Sequence, residues 1–242
     1  ANDLDPTLYT ITYYTSVANA EIPTGVIATP NAYVNTAPNM ETIGVRVEDN
    51  VTGCFKTVAL DLIVNPLPVL VQPDPLALCD VNNPGDEVEA FTLEDANAQI
   101  LNGQTGITLT YFNTQAGADT DDAAAEIFSP YTNQAVGTNP INPQTVYVRA
   151  TNNVTGCVST ITLDLRVNPL PSPVNMPVVV EECDDDNDGF ALFDLDAQTA
   201  IIVNGEPNIT ISYYETQADA MSMTNPLVSP YANIIENTQT IY

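Results

Sequence analysis

The chain has 242 residues, with 31 Asp and Glu against four Lys and Arg, no His, and a formal net charge of −27. Such acidity excludes nucleic-acid partners and electrostatic attraction to anionic lipid, and makes divalent cations the natural counter-charge. The absence of His removes the commonest general base and the triads built on it, so catalysis would have to rest on carboxylates alone.

No GxSxG, P-loop, GxGxxG or HExxH is present. Paired carboxylates hydrolyse glycosides, but acids are so abundant here that a pair carries no signal. No apolar run approaches the roughly 20 residues of a membrane span, so direct membrane insertion is not expected. No signal peptide opens the sequence, and its two ends read as those of a fragment of something longer. The 44% hydrophobic content supports one large or two small cores.

In chain order, the first element is a strand at 11–14, "ITYY", which returns as "LTYF" at 109–112 and "ISYY" at 211–214. "TPNAYVN" at 29–35 returns as "SPYTN" and "SPYAN" at 129–133 and 229–233. "GVRVEDN" then carries Arg46, matched by Arg149 in "YVRATNN". The turn "VTGC" stands at 51–54 and 154–157, and "VNPLP" at 64–68 and 167–171, both offset by 103 positions. "CD" stands at 79–80 and 183–184. Several unrelated words recurring in one order at one period define a repeat of about 103 residues. The chain holds three pieces of it: 1–69 without the beginning, 70–172 entire, and 173–242 without the end.

Within the repeat, period-two alternation dominates. Ile161, Leu163, Leu165 and Val167 share one face of a strand; Thr162, Asp164 and Arg166 share the other. Val58, Leu60, Leu62 and Val64 repeat the pattern. "NNVTGC" reads as a hairpin turn. Two short pieces read as helical, 95–103 and 196–205, each opening at an Asp and closing at a Gly. About seven short strands in about 100 residues predict an all-β fold of tandem immunoglobulin-like sandwiches. "NPLP" ends the last strand and is expected to act as a semi-rigid linker between modules.

The ordered set "CD…DGF…FDL", "ITYY", "SPY.N", "TVYVR..NN.TGC" and "VNPLP" resembles the tandem repeats of very large Bacteroidetes cell-surface proteins, the SprB-like gliding-motility adhesins. The resemblance spans the whole chain. It implies export to the cell surface by type IX secretion and a role in adhesion or gliding motility, with neighbouring repeats of the same chain as partners.

"CDDDNDGFALFDL" (183–195) is the candidate metal site. Asp184, Asp186 and Asp188 stand at positions 1, 3 and 5 of an EF-hand-like Ca²⁺ loop, Gly189 at 6, and Phe190 offers its carbonyl at 7. Position 12 is Leu195 rather than Glu, so Asp194 or Glu182 would have to complete the shell. In the second repeat the acids thin to Asp80, Asn82 and Asp86, with Pro84 interrupting, and a plain solvated turn is expected there. Tyr13, Tyr111, Tyr213, Tyr33, Tyr131 and Tyr231 read as packing residues, and Arg46 and Arg149 as members of structural ion pairs. Lys56 has no counterpart in the second repeat, where Ser159 aligns, which rules out a repeated Lys–Asn isopeptide.

The four cysteines suggest disulfides in an oxidising compartment. One pairing is Cys79–Cys157 inside the complete repeat. The alternative is Cys54–Cys79 with Cys157–Cys183, across each linker. A last strand of about ten residues is roughly 33 Å long, whereas bridged Cα atoms approach within about 7 Å, so a linear string favours Cys79–Cys157. The function expected is a non-catalytic, Ca²⁺-stiffened stalk. A carbohydrate- or surface-binding module is the alternative, and the absence of Trp, the favoured sugar-stacking residue, weighs against it.

Overall fold

The computed structural model describes residues 7–174 and 178–242. The elements are β1 (Tyr9–Tyr14), α1 (Val17–Glu21), β2 (Met40–Asp49), β3 (Phe55–Ile63), β4 (Leu76–Cys79), β5 (Ala90–Phe91), α2 (Asn97–Leu101), β6 (Ile107–Phe112), α3 (Gln115–Thr120), β7 (Glu126–Ile127), β8 (Tyr131–Thr132), β9 (Gln144–Asn152), β10 (Val158–Asn168), β11 (Leu192–Phe193), α4 (Thr199–Val203), α5 (Gln217–Ser222) and β12 (Tyr231–Ala232). Two compact units form: residues 1–77 with 90–166, and 78–89 with 167–242.

The complete repeat is an all-β two-layer arrangement. A five-stranded sheet in the order β4-β10-β9-β6-β7 faces a two-stranded sheet, β5-β8. β6, β9 and β10 pair antiparallel, with Leu163 opposite Val146 and Tyr111 opposite Val148. Alternation fixes the buried face, because successive side chains of a strand point to opposite sides. Val146, Val148 and Ala150 of β9 and Leu163 and Leu165 of β10 are wholly buried. Phe91, Leu93 and Ile100 are buried as well, each at most 1% exposed. Each such side chain contributes roughly 1.5–3 kcal/mol on leaving water.

The first piece pairs β1, β2 and β3 in one sheet, with Tyr13 opposite Val45 and Val45 opposite Val58. Its apolar face behaves differently from expectation: Val58 is 47% and Leu60 40% exposed. β1 is the counterpart of β6. In the third piece β11 pairs β12 with Phe193 opposite Tyr231, repeating Phe91 opposite Tyr131.

Three short helices that alternation does not reveal cross over after the "TYY/TYF/SYY" strand. α1, α3 and α5 open at Ser16, Thr114 and Thr216, whose hydroxyls accept from the backbone N–H of Asn19, Gly117 and Asp219. This is N-capping, worth about 1 kcal/mol each. The expected helices at 95–103 and 196–205 begin instead as 3₁₀ turns, at Leu93 and Asp196, before α2 and α4. Asp95 lies inside the turn rather than capping it, and each helix stops at a left-handed Asn, Asn102 or Asn204, just before the glycine.

The recurring tyrosines pack, and their hydroxyls also tie layers together. Tyr111 donates to the Leu93 carbonyl at 3.0 Å, and Tyr213 to that of Leu195 at 2.9 Å. Burial pushes the Tyr111 hydroxyl well above its ordinary range, so it stays a donor. Tyr131 accepts from Gln144 Nε2 and Tyr231 from Gln239 Nε2, both at 2.9 Å. In the first piece Glu41 stands where those glutamines stand, and the bond reverses: Tyr33 donates to the Glu41 carboxylate.

Tyr111→Phe keeps the ring and removes the donor to the Leu93 carbonyl. Denaturant unfolding should report a loss of about 1–3 kcal/mol. An unchanged midpoint would show that this hydroxyl does not hold the two layers.

Candidate functional site

The acidic loop is built around the first aspartate after the cysteine. Asp184 Oδ1 accepts from the N–H of Asp186 and Asn187, and Oδ2 from that of Gly189 at 2.8 Å. Gly189 has φ +83°, a left-handed backbone that suits glycine. Asp80 does the same work in the second repeat: its Oδ2 accepts from Gly85 N–H at 2.6 Å, and the residue is 1% exposed. The recurring "CD" therefore closes a loop through its carboxylate, with or without further acids.

Carboxylate oxygens of Asp184, Asp186 and Asp188 lie within 4.8 Å of one another, all three residues being exposed. Repulsion from Asp188 holds the Asp186 carboxyl above the usual carboxylate range, while the Gly189 N–H holds Asp184 below it. These three are the expected ligands that the fold brings together. Phe190 follows directly, its N–H donating to Asp188 Oδ1. Asp194 is engaged elsewhere: its Oδ1 accepts from Ala197 N–H and from the Ser229 hydroxyl. Three carboxylates are fewer than the six to eight oxygens Ca²⁺ takes, so backbone carbonyls or water would supply the remainder.

The second repeat solves the same loop with a residue the sequence reading passed over. Glu89, 5% exposed, accepts from the N–H groups of Val81 and Asn82 and from the Asn82 side chain. The Asn82 N–H is the leading cause of its lowered carboxyl pKa. Its counterpart in the third piece is Ala191, whose N–H instead bonds the Asn233 side chain.

The two strand arginines do more than form ion pairs. Arg46 pairs with Glu48 at 2.9 Å, and Arg149 Nε lies 3.7 Å from Asp121. Each also reaches across to the C-terminal end of the short helix. Arg46 donates to the Ala20 carbonyl, and Arg149 to those of Ala118 and Asp119. A cation at the carbonyl end of a helix satisfies otherwise orphaned acceptors.

The cysteines occupy two kinds of place. Cys157 closes the β9–β10 turn: its carbonyl accepts from Asn152 N–H, and Gly156 beside it has φ +71°. Cys54 closes the β2–β3 turn in the same way, its carbonyl accepting from Asp49 N–H. Cys79 ends β4, beside the far end of β10, where Asp80 N–H donates to the Asn168 carbonyl. β10 occupies 11 residues, roughly 36 Å of strand. Cys157 immediately precedes β10, and all four thiols are free in this structure. β4 runs beside β10 and in the same direction.

That direction follows from ascending contacts. Cys157 Sγ lies 3.8 Å from the Asn65 carbonyl, the Ser159 hydroxyl donates to Pro68 O, and Gln72 Nε2 donates to Thr162 O. Pro68 and Pro73 are buried, so the proline-rich segment packs along the sheet of the following repeat rather than hanging between modules. No helix among the described residues is long and apolar enough to cross a membrane.

These features define a tandem array of two-layer β repeats with recurring polar fasteners. The chain belongs to the Flavobacterium inter-domain disulphide bond domain family, which it matches over residues 1–68, 75–171 and 179–242. No curated protein is similar enough to count as a relative.

Asp184 and Glu89 have carboxyl pKa values lowered by folding, so their contribution is complete above the ordinary carboxylate range and is lost as pH falls through the folded values. The thermal midpoint should therefore drop below about pH 4. Glu89→Gln should make that acid slope shallower; an identical slope would show that Glu89 is not one of the groups involved.

Proposed function

We propose that the chain is a non-catalytic stalk segment of a large secreted cell-surface adhesin of the SprB-like kind, exported by type IX secretion and used in adhesion or gliding motility. The observation that carries this reading is the packing of the entry segment on the exit strand. Residues 65–72 run beside β10 in the same direction, through the Cys157–Asn65, Ser159–Pro68 and Gln72–Thr162 contacts. Tension enters such a repeat at the start of this pair and leaves at the end of β10. The contacts are then loaded together in shear rather than opened one after another. That geometry suits a load-bearing rod, and it needs no catalytic group.

Single-molecule stretching tests it. The complete repeat should yield one high-force unfolding event, and Ser159→Ala should lower that force by removing the bond to Pro68. Unfolding at forces typical of hairpin unzipping would overturn the stalk reading. Specific binding of the isolated chain on a glycan array would favour direct carbohydrate recognition instead.

The acidic loop of the third repeat is proposed to take one Ca²⁺ through Asp184, Asp186 and Asp188, stiffening that module. The support is the convergence of three carboxylates with Asp186 destabilised by its neighbour. A cation bound only by the folded state raises the thermal midpoint by mass action. The midpoint should rise with added Ca²⁺ and fall with a chelator, and Asp186→Ala should abolish the response. No response in the unsubstituted chain would remove calcium from the account.

A further inference from the structure

We infer that the second repeat holds a Ca²⁺ ion of its own at the buried carboxylate of Asp80, in the loop 80–89. This goes beyond the stalk reading, and it uses none of the residues of the acidic loop at 184–188.

Residues 80–89 contain Asp80, Asp86, Glu87 and Glu89, and neither Lys nor Arg. A solvated turn would leave all four acids in water. The fold instead buries two of them: Asp80 is 1% and Glu89 5% exposed. Burying a charged carboxylate is costly unless its charge is paired and its lone pairs are satisfied.

Asp80 meets that requirement on one oxygen only. Its Oδ2 accepts from the N–H groups of Gly85 and Glu87. Its Oδ1 is buried and has no hydrogen-bond partner. No Lys or Arg pairs with Asp80 among the described residues.

The third piece shows why this oxygen is left over. There Asp184 Oδ1 accepts from the N–H groups of Asp186 and Asn187. Asn82 is the counterpart of Asp186, but its N–H donates to Glu89, together with that of Val81. Ala191 stands in the place of Glu89 in the third piece and cannot compete in this way. Glu89 therefore draws the loop amides to itself and frees Asp80 Oδ1.

A water molecule at Oδ1 would satisfy its lone pairs and leave the charge unanswered. A cation answers both. Asn82 spends its Nδ2 on Glu89, which leaves its amide oxygen as a second donor in the same loop. Carboxylate and amide oxygens are hard ligands of the kind Ca²⁺ takes, and backbone carbonyls and water complete its shell elsewhere. The second repeat thus reaches a cation site with fewer acids than the third, by burying the one that matters.

Ca²⁺ binding to the chelator-treated 242-residue chain tests the site, read by equilibrium dialysis with radioactive calcium and by hydrogen exchange with mass spectrometry. Asp80→Asn is the informative variant. Its amide oxygen still accepts from Gly85 N–H, while an NH₂ group replaces Oδ1 and repels a cation. In chelator it should fold with a thermal midpoint no lower than that of the unsubstituted chain, because a buried charge has gone. It should bind one Ca²⁺ fewer. In the unsubstituted chain Ca²⁺ should slow amide exchange in peptides covering 80–89, a readout that does not depend on any variant folding. Asp186→Ala should leave that protection intact. Unaltered exchange at 80–89, or undiminished Ca²⁺ binding by Asp80→Asn, would overturn the inference. Where the third repeat binds no ion, the unsubstituted chain should still take up one that Asp80→Asn abolishes, so the two calcium readings fail separately.

Discussion

The pairing of the complete repeat's entry segment with its exit strand is the constraint on which the rest of the architecture depends. The segment from Asn65 to Pro75 contains four prolines, which cannot donate to a ladder. It therefore meets β10 through carbonyls and side chains: Pro68 offers its oxygen to Ser159, and Gln72 supplies the donor to Thr162 O. The segment also meets the helical corner. Val71 N–H donates to the Ile100 carbonyl, Val69 N–H to the Gln104 side chain, and Asp74 N–H to the Gln99 side chain. Val174 N–H to Ile202 O and Ser172 N–H to the Glu206 side chain repeat this in the third piece. What composition suggests is a spacer is the outermost strand-like layer of the module it precedes.

With that layer fixed, a small set of polar fasteners recurs around the core. A strand arginine closes the carbonyl end of the crossover helix, a Ser or Thr closes its amide end, a tyrosine hydroxyl holds the helical corner, and an aspartate after the cysteine folds the loop back on itself. Each satisfies backbone groups that burial would otherwise leave orphaned. The chain keeps few cations, and two of its three arginines hold the same place in successive repeats. Placing them at helix ends binds carbonyl dipoles where any of the many surface carboxylates would have served for simple charge pairing.

Strand faces, the hairpin at "VTGC" and the two-layer class were legible because alternation and turn chemistry are local. Leu163 and Leu165 read correctly as buried from spacing alone. The three crossover helices escaped because a five- or six-residue helix has too few turns to show a 3.6 period; the Ser or Thr at Ser16, Thr114 and Thr216, just after each tyrosine-bearing strand, was the available signal. Asp184, Asp186 and Asp188 were legible as a cluster, whereas Asp194 was not separable from them, since its commitment to Ser229 spans 35 residues of sequence. The course of the first strand was the least legible element. A parallel pairing between residues about 90 apart leaves no periodic trace, and the placement of Cys79 depended on it.

The five-stranded sheet is bounded by β4 on one side and β7 on the other. β7 is only two residues long, and β4 is four residues preceded by Pro73 and Pro75. A chain carrying similar modules in tandem concentrates its own copies far above what free diffusion would give. Open ladder edges would then recruit the neighbouring copy, exchanging strands between modules or seeding fibrils. Truncating one edge and bordering the other with prolines leaves little unpaired ladder for a neighbour to extend. The same prolines that shape the junction thus let successive look-alike modules fold without mistaking one for the next.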